Sequence, residues 1–98
     1  MGQKYNPKAK ADKQLQVLVV PDSVIPDATA AKEVGKGSLC RIKGTAGGFV
    51  SFGPDDSLVV PSAVTPNTME TEAGYFIVSA PDKFIRTSAV MRIEVIKD

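Results

Sequence analysis

The sequence predicts an all-β domain, a small β-sandwich or barrel of about seven short strands. Three observations carry this. Short runs rich in β-branched and aromatic residues recur along the chain. Glycine and proline punctuate them, with prolines at 21, 26, 54, 61, 66 and 81 placed where strands would end rather than at their centres. Only one stretch carries a helical signal.

The elements follow in order. Leu15-Gln16-Val17-Leu18-Val19-Val20 reads as a strand stopped by Pro21. Residues 27–34 hold helix formers behind Asp27, a candidate N-cap, and predict a short helix ending at Gly35. Residues 38–43 alternate, with Cys40 and Ile42 on one face and Arg41 and Lys43 on the other. Phe49-Val50-Ser51-Phe52 runs into a Gly53-Pro54-Asp55-Asp56 turn. Gly44-Thr45-Ala46-Gly47-Gly48, lying between those two strands, reads as a hairpin loop. Leu58-Val59-Val60 predicts a strand stopped by Pro61, and Tyr75-Phe76-Ile77-Val78 one stopped near Pro81. A short strand is expected at Phe84-Ile85-Arg86. In the last strand Met91, Ile93 and Val95 share one face, and Arg92 and Glu94 the other.

An internal repeat shows at the level of residues. Leu18-Val19-Val20-Pro21-Asp22-Ser23-Val24-Ile25-Pro26 returns as Leu58-Val59-Val60-Pro61-Ser62-Ala63-Val64-Thr65-Pro66. The shared pattern divides the domain, residues 15–98, into halves 18–53 and 58–96. Two such units packed face to face would bury what neither buries alone.

The chain has 98 residues, the size of one domain. It is 43% hydrophobic and 23% charged, the composition of a globular protein, with a net charge of +1. The charge is uneven. Residues 1–14 carry Lys4, Lys8, Lys10 and Lys13 against Asp12, and are expected to form a flexible basic arm. Lys4, Tyr5, Lys8, Lys10 and Lys13 are the candidate partner-binding residues. The arm admits three readings: a solvated tail, a contact with a protein partner, or phosphate contacts with nucleic acid. Its lack of arginine and its single aromatic argue against base stacking.

No apolar run reaches the length of a membrane helix, and no leader peptide or myristoylation pattern is evident. The expectation is a soluble protein made in the cytoplasm, without a membrane partner.

Catalytic chemistry is not indicated. The sequence has no histidine, which removes Ser-His and Cys-His nucleophile pairs and the commonest metal ligand. Cys40, the one cysteine, cannot build a zinc site or an intrachain disulfide and reads as a core thiol. Gly35-Lys36-Gly37-Ser38 falls short of the phosphate-loop spacing and reads as a turn. Asp55-Asp56, and separately Glu70 and Glu72, lack the pattern of a calcium loop and read as solvated carboxylates. The reading is a non-enzymatic protein with no cofactor and no metal.

Arg41-Ile42, then Gly47-Gly48-Phe49-Val50-Ser51-Phe52-Gly53, then Glu72-Ala73-Gly74-Tyr75-Phe76-Ile77-Val78 and a C-terminal strand form a further series. Over residues 39–96 it resembles small structural proteins of tailed-bacteriophage particles, of the capsid decoration or cement type. That resemblance implies a β protein on the virion, bound to the major capsid protein or other virion subunits. It also implies a homo-oligomer, a trimer being the common form. The alternative is a small-barrel nucleic-acid-binding module that uses the basic arm together with Arg41 and Lys43. The near-neutral total charge makes nucleic acid the weaker partner. A carbohydrate-binding module or small hydrolase ranks last, because tryptophan is absent and only Tyr5 and Tyr75 offer tyrosine rings.

Overall fold

Alternation along each strand sends one side chain inward and the next outward, so a chain with this pattern must bury one face of every sheet. The computed structural model describes residues 20–97, which form eight short strands in two four-stranded antiparallel sheets. They are β1 (Ser23–Ile25), β2 (Lys32–Glu33), β3 (Leu39–Gly44), β4 (Phe49–Gly53), β5 (Thr68–Glu70), β6 (Gly74–Ser79), β7 (Phe84–Thr87) and β8 (Ile93–Ile96). The first sheet has the order β1-β8-β3-β6 and the second β2-β7-β4-β5. The all-β sandwich expected from the sequence is the fold.

The core lies where the two sheets contribute their inward residues. Cys40, Ile42, Ile93 and Val95 come from the first sheet, and Val50, Phe52 and Ile85 from the second. Each fully buried aliphatic side chain contributes roughly 1.5–3 kcal/mol over an exposed one. The faces predicted for residues 38–43 and for the last strand are the observed ones. Cys40, Ile42, Met91, Ile93 and Val95 are buried and Lys43 is exposed.

Strand order carries a symmetry. Advancing every strand of the first sheet by four places, with β6 and β8 returning to β2 and β4, gives β5-β4-β7-β2, which is the second sheet. Registers follow the same relation. Arg41 faces Glu94 as Arg86 faces Ser51, and Ile42 faces Ile93 as Thr87 faces Val50. Cys40 faces Val78 as Ile85 faces Lys32. Each sheet therefore takes two strands from each half of the chain. The repeated Leu-Val-Val-Pro strings are not the equivalent elements. Val24 and Ile25 lie in β1, whereas Ala63 and Val64 lie in a turn.

Other expectations give way to the structure. Residues 27–34 are not helical. Asp27 accepts hydrogen bonds from the backbone N–H (2.8 Å) and hydroxyl (2.6 Å) of Thr29, an Asx turn rather than a helix cap. The chain then extends into β2, and Ala28 and Val34 both reach the core. Residues 58–60 form no strand. Val59 and Val60 are exposed, because β4 already pairs with β5 and β7. The loop 44–48 is not a hairpin, since β3 and β4 belong to different sheets. It crosses between them on Thr71, whose hydroxyl donates to the Thr45 carbonyl (2.6 Å) and whose N–H donates to the Gly48 carbonyl (2.8 Å). The arm 1–14 and residues 15–19 of the expected first strand lie outside the described residues. Val20, which is described, is exposed and in no strand.

Candidate partner-binding surface

One row of side chains crosses the outer face of the first sheet: Val24, Glu94, Arg41 and Ile77, in register on β1, β8, β3 and β6. Arg41 and Glu94 are both buried there and form an ion pair. Arg92 closes the group with an Nε–Oε2 contact of 2.8 Å to Glu94, its own side chain half exposed. Burial pulls the Glu94 carboxyl upward, but the hydrogen bonds and charges of Arg92 and Arg41 outweigh it and hold the group below its ordinary range. The acid of the cluster is committed to two arginines, which leaves the group one positive charge in excess. Beside it, the Lys43 ammonium lies 5.9 Å from the centre of the Tyr75 ring, within cation–π range.

The second sheet has an arginine in the equivalent place and uses it differently. Arg86 faces Ser51 rather than an acid. Its Nε donates to the Thr29 carbonyl (2.8 Å) and its Nη1 to the Leu58 carbonyl (2.6 Å). Arg86 thereby ties the loop after β4 to the outer face of this sheet. Leu58 lies directly on Gly53, where a Cβ would stand 2.4 Å from its Cδ2. Pro61 is buried, and Ser62 and Thr65 brace the next turn, the Ser62 N–H donating to Thr65 Oγ1 (3.0 Å). The pinned loop holds Val59, Val60 and Val64 outward at 62%, 52% and 90% exposure. Sequence reasoning took residues 58–60 as a strand, and so missed this exposed apolar surface.

The other sequence candidates are accounted for locally. Gly35-Lys36-Gly37-Ser38 is a turn closed by the Ser38 N–H on the Gly35 carbonyl (3.1 Å), and the Ser38 hydroxyl is committed to the Val34 carbonyl (2.8 Å). Asp55 accepts from the Ser57 N–H and hydroxyl, which lower its pKa. Burial pushes the Cys40 thiol up to about 11, so it stays protonated. Among the described residues no three Cys, Asp or Glu side chains gather to hold a metal ion, and no helix is long and apolar enough to cross a membrane. A groove of about 350 Å³, bounded by residues 69–76, runs along the link from β5 into β6.

Neither family models nor curated proteins nor solved structures give a match to this chain.

Lys4, Tyr5, Lys8, Lys10 and Lys13 lie outside the described residues. Within those residues the candidate surface consists of the valine loop and the exposed strand edges. Its residues are suited to packing and to main-chain pairing.

Proposed function

We propose that the chain is a non-enzymatic structural protein of a tailed-phage particle that binds and stabilises the capsid surface as a decoration or minor capsid protein. The observation that carries this is the pinned loop. Arg86, Pro61 and the Ser62–Thr65 turn hold Val59, Val60 and Val64 out in water. Exposed apolar side chains on a braced loop fit a protein partner that covers them, and a pre-ordered loop loses little entropy on docking. The resemblance of residues 39–96 to small virion proteins supplies the class of partner, the major capsid protein. The lysines of residues 1–14 add a second contact, and many copies on a lattice gain strength through multivalency.

Co-sedimentation with purified phage shells tests the reading. The wild-type chain is expected to pellet with shells in saturable stoichiometry. A Val59→Asp, Val60→Asp, Val64→Asp variant is expected to stay in the supernatant while remaining folded by circular dichroism. Equal pelleting of both chains would discard the loop as the contact, and no pelleting of either would discard the virion reading.

A further inference from the structure

We propose that β6 is the acceptor edge for residues 15–20 of a second copy, so that the chain self-associates by strand exchange. The inference deepens the proposed function, since it rests on reading the chain as a subunit of an assembly.

The acceptor is singled out among four sheet edges. β6 ends the first sheet and pairs, among the described residues, with β3 alone. Its six residues, Gly74-Tyr75-Phe76-Ile77-Val78-Ser79, include no charge and no proline, and none is fully buried. Proteins normally blunt such an edge with charge, proline, a bulge or shortness. The other three edges are blunted. β1 and β5 have three residues each, β5 ends on Glu70, and β2 is only Lys32–Glu33. A long, uncharged, half-exposed edge fits an added strand, with main-chain hydrogen bonds supplying the affinity.

The occupant is argued from chain geometry. Leu15-Gln16-Val17-Leu18-Val19-Val20 is also six residues long, also uncharged, and rich in β-branched residues. It cannot lie whole along β6 of its own chain. The Asp22 N–H donates to the Val95 carbonyl (2.8 Å), which fixes the chain on the β1 side of β8. From β1 to β6 is three strand spacings, about 14 Å. From Asp22 to Val20 is two residues, a reach of about 7 Å. A neighbouring copy has no such tether. On it, Leu15, Val17 and Val19 would continue the core-facing row of Phe76 and Val78, and Gln16 would join the outer face with Ile77. Donor and acceptor are different surfaces, so the contact is head-to-tail. It closes into a ring where the rotation allows and otherwise runs on as a filament.

Light scattering on the purified full-length chain tests this without any shell present, in parallel with Val17→Pro, Ile77→Lys and Ser79→Lys variants. The native chain is expected to form a defined oligomer. The proline and both lysine variants are expected to weaken it about tenfold or more. A cysteine trap gives direct proof. A copy carrying Gln16→Cys, mixed with an isotope-labelled copy carrying Ile77→Cys, should yield the mixed disulfide, since both positions lie on the outer face; Cys40 is buried and stays out of the reaction. Ser79 is already exposed, so Ser79→Lys keeps the test valid if Ile77→Lys fails to fold. A monomeric native chain would overturn the proposal. So would an oligomer indifferent to Val17→Pro, or one that Val17→Pro breaks while Ser79→Lys leaves it intact. Shell binding by a chain that proves monomeric would leave the proposed function standing alone. An exchanged oligomer that ignores shells would do the reverse.

Discussion

Arg41, Glu94 and Arg92 couple the stability of the sandwich to pH. The Glu94 carboxyl is held below its ordinary value of 4.5, so the folded state favours the charged form. Its contribution is fully present above that ordinary value and is lost as pH falls through the depressed folded one. Urea midpoints taken from pH 6 downward should therefore drop, and the drop should shrink in Arg41→Met. At neutral pH that variant is expected to cost roughly 3 kcal/mol, since a buried ion loses a partner while Arg92 remains. Adding Glu94→Leu should restore most of the loss, because an apolar pair of similar volume carries no desolvation penalty. Ser51 occupies the equivalent place in the other sheet, and its hydroxyl is buried without a hydrogen-bond partner. Ser51→Ala should be neutral or stabilising by up to about 1 kcal/mol in the same urea assay. The Cys40 thiol, buried and pushed up to about 11, should react with a thiol reagent only at the rate of unfolding.

At the level of elements, the clearest constraint is the end of the β3–β6 pair, where Gly44 faces Gly74. A Cβ on Gly44 would stand 2.4 Å from the Glu72 carbonyl oxygen, and Gly74 holds a φ of 113°. Gly44→Ala should therefore cost about 1–3 kcal/mol, read as a lowered melting temperature. The sequence made β3, β4, β6, β7 and β8 legible because each is four to six residues long. Within β3 and β8 the alternation marks the buried face residue by residue, Cys40 and Ile42 in one and Ile93 and Val95 in the other. It did not reveal β1, β2 and β5. Those are two or three residues long, and they are strands because β8, β7 and β4 present ladders to them. Leu58-Val59-Val60 has the composition of a strand but no free ladder beside it, so composition misled. At 27–34 the local helical preference lost to burial of Ala28 and Val34, which an extended path achieves. The candidate surface was hidden for the same reason: Leu58-Val59-Val60 reads as a strand in a linear pattern, and the Arg86 tether, the buried Pro61 and the Ser62–Thr65 turn that hold the loop outward come from the fold.

Across the whole molecule, the interleaving of halves governs how it folds. Neither half can complete a sheet alone, because every sheet draws two strands from each. The two pieces made by cutting the exposed stretch near residue 63 should each be unstructured and should regain the native circular dichroism when mixed. Nicking the folded chain there should leave it associated until denaturant is added, since the inter-strand ladders cross the cut. Native gel filtration beside a denaturing gel would show both. Independent folding of either piece would contradict the topology.

The relation between the sheets, with β1 to β4 standing to β5 to β8 as one copy to another, is the strand order that two copies of a half-length chain would adopt about a dyad. A single half-length peptide with an averaged sequence would then close on a second molecule of itself around a true dyad. Arg41, which meets Glu94 in one sheet, and Arg86, which holds the valine loop in the other, stand at equivalent places, so one position of the symmetric frame serves two separate purposes.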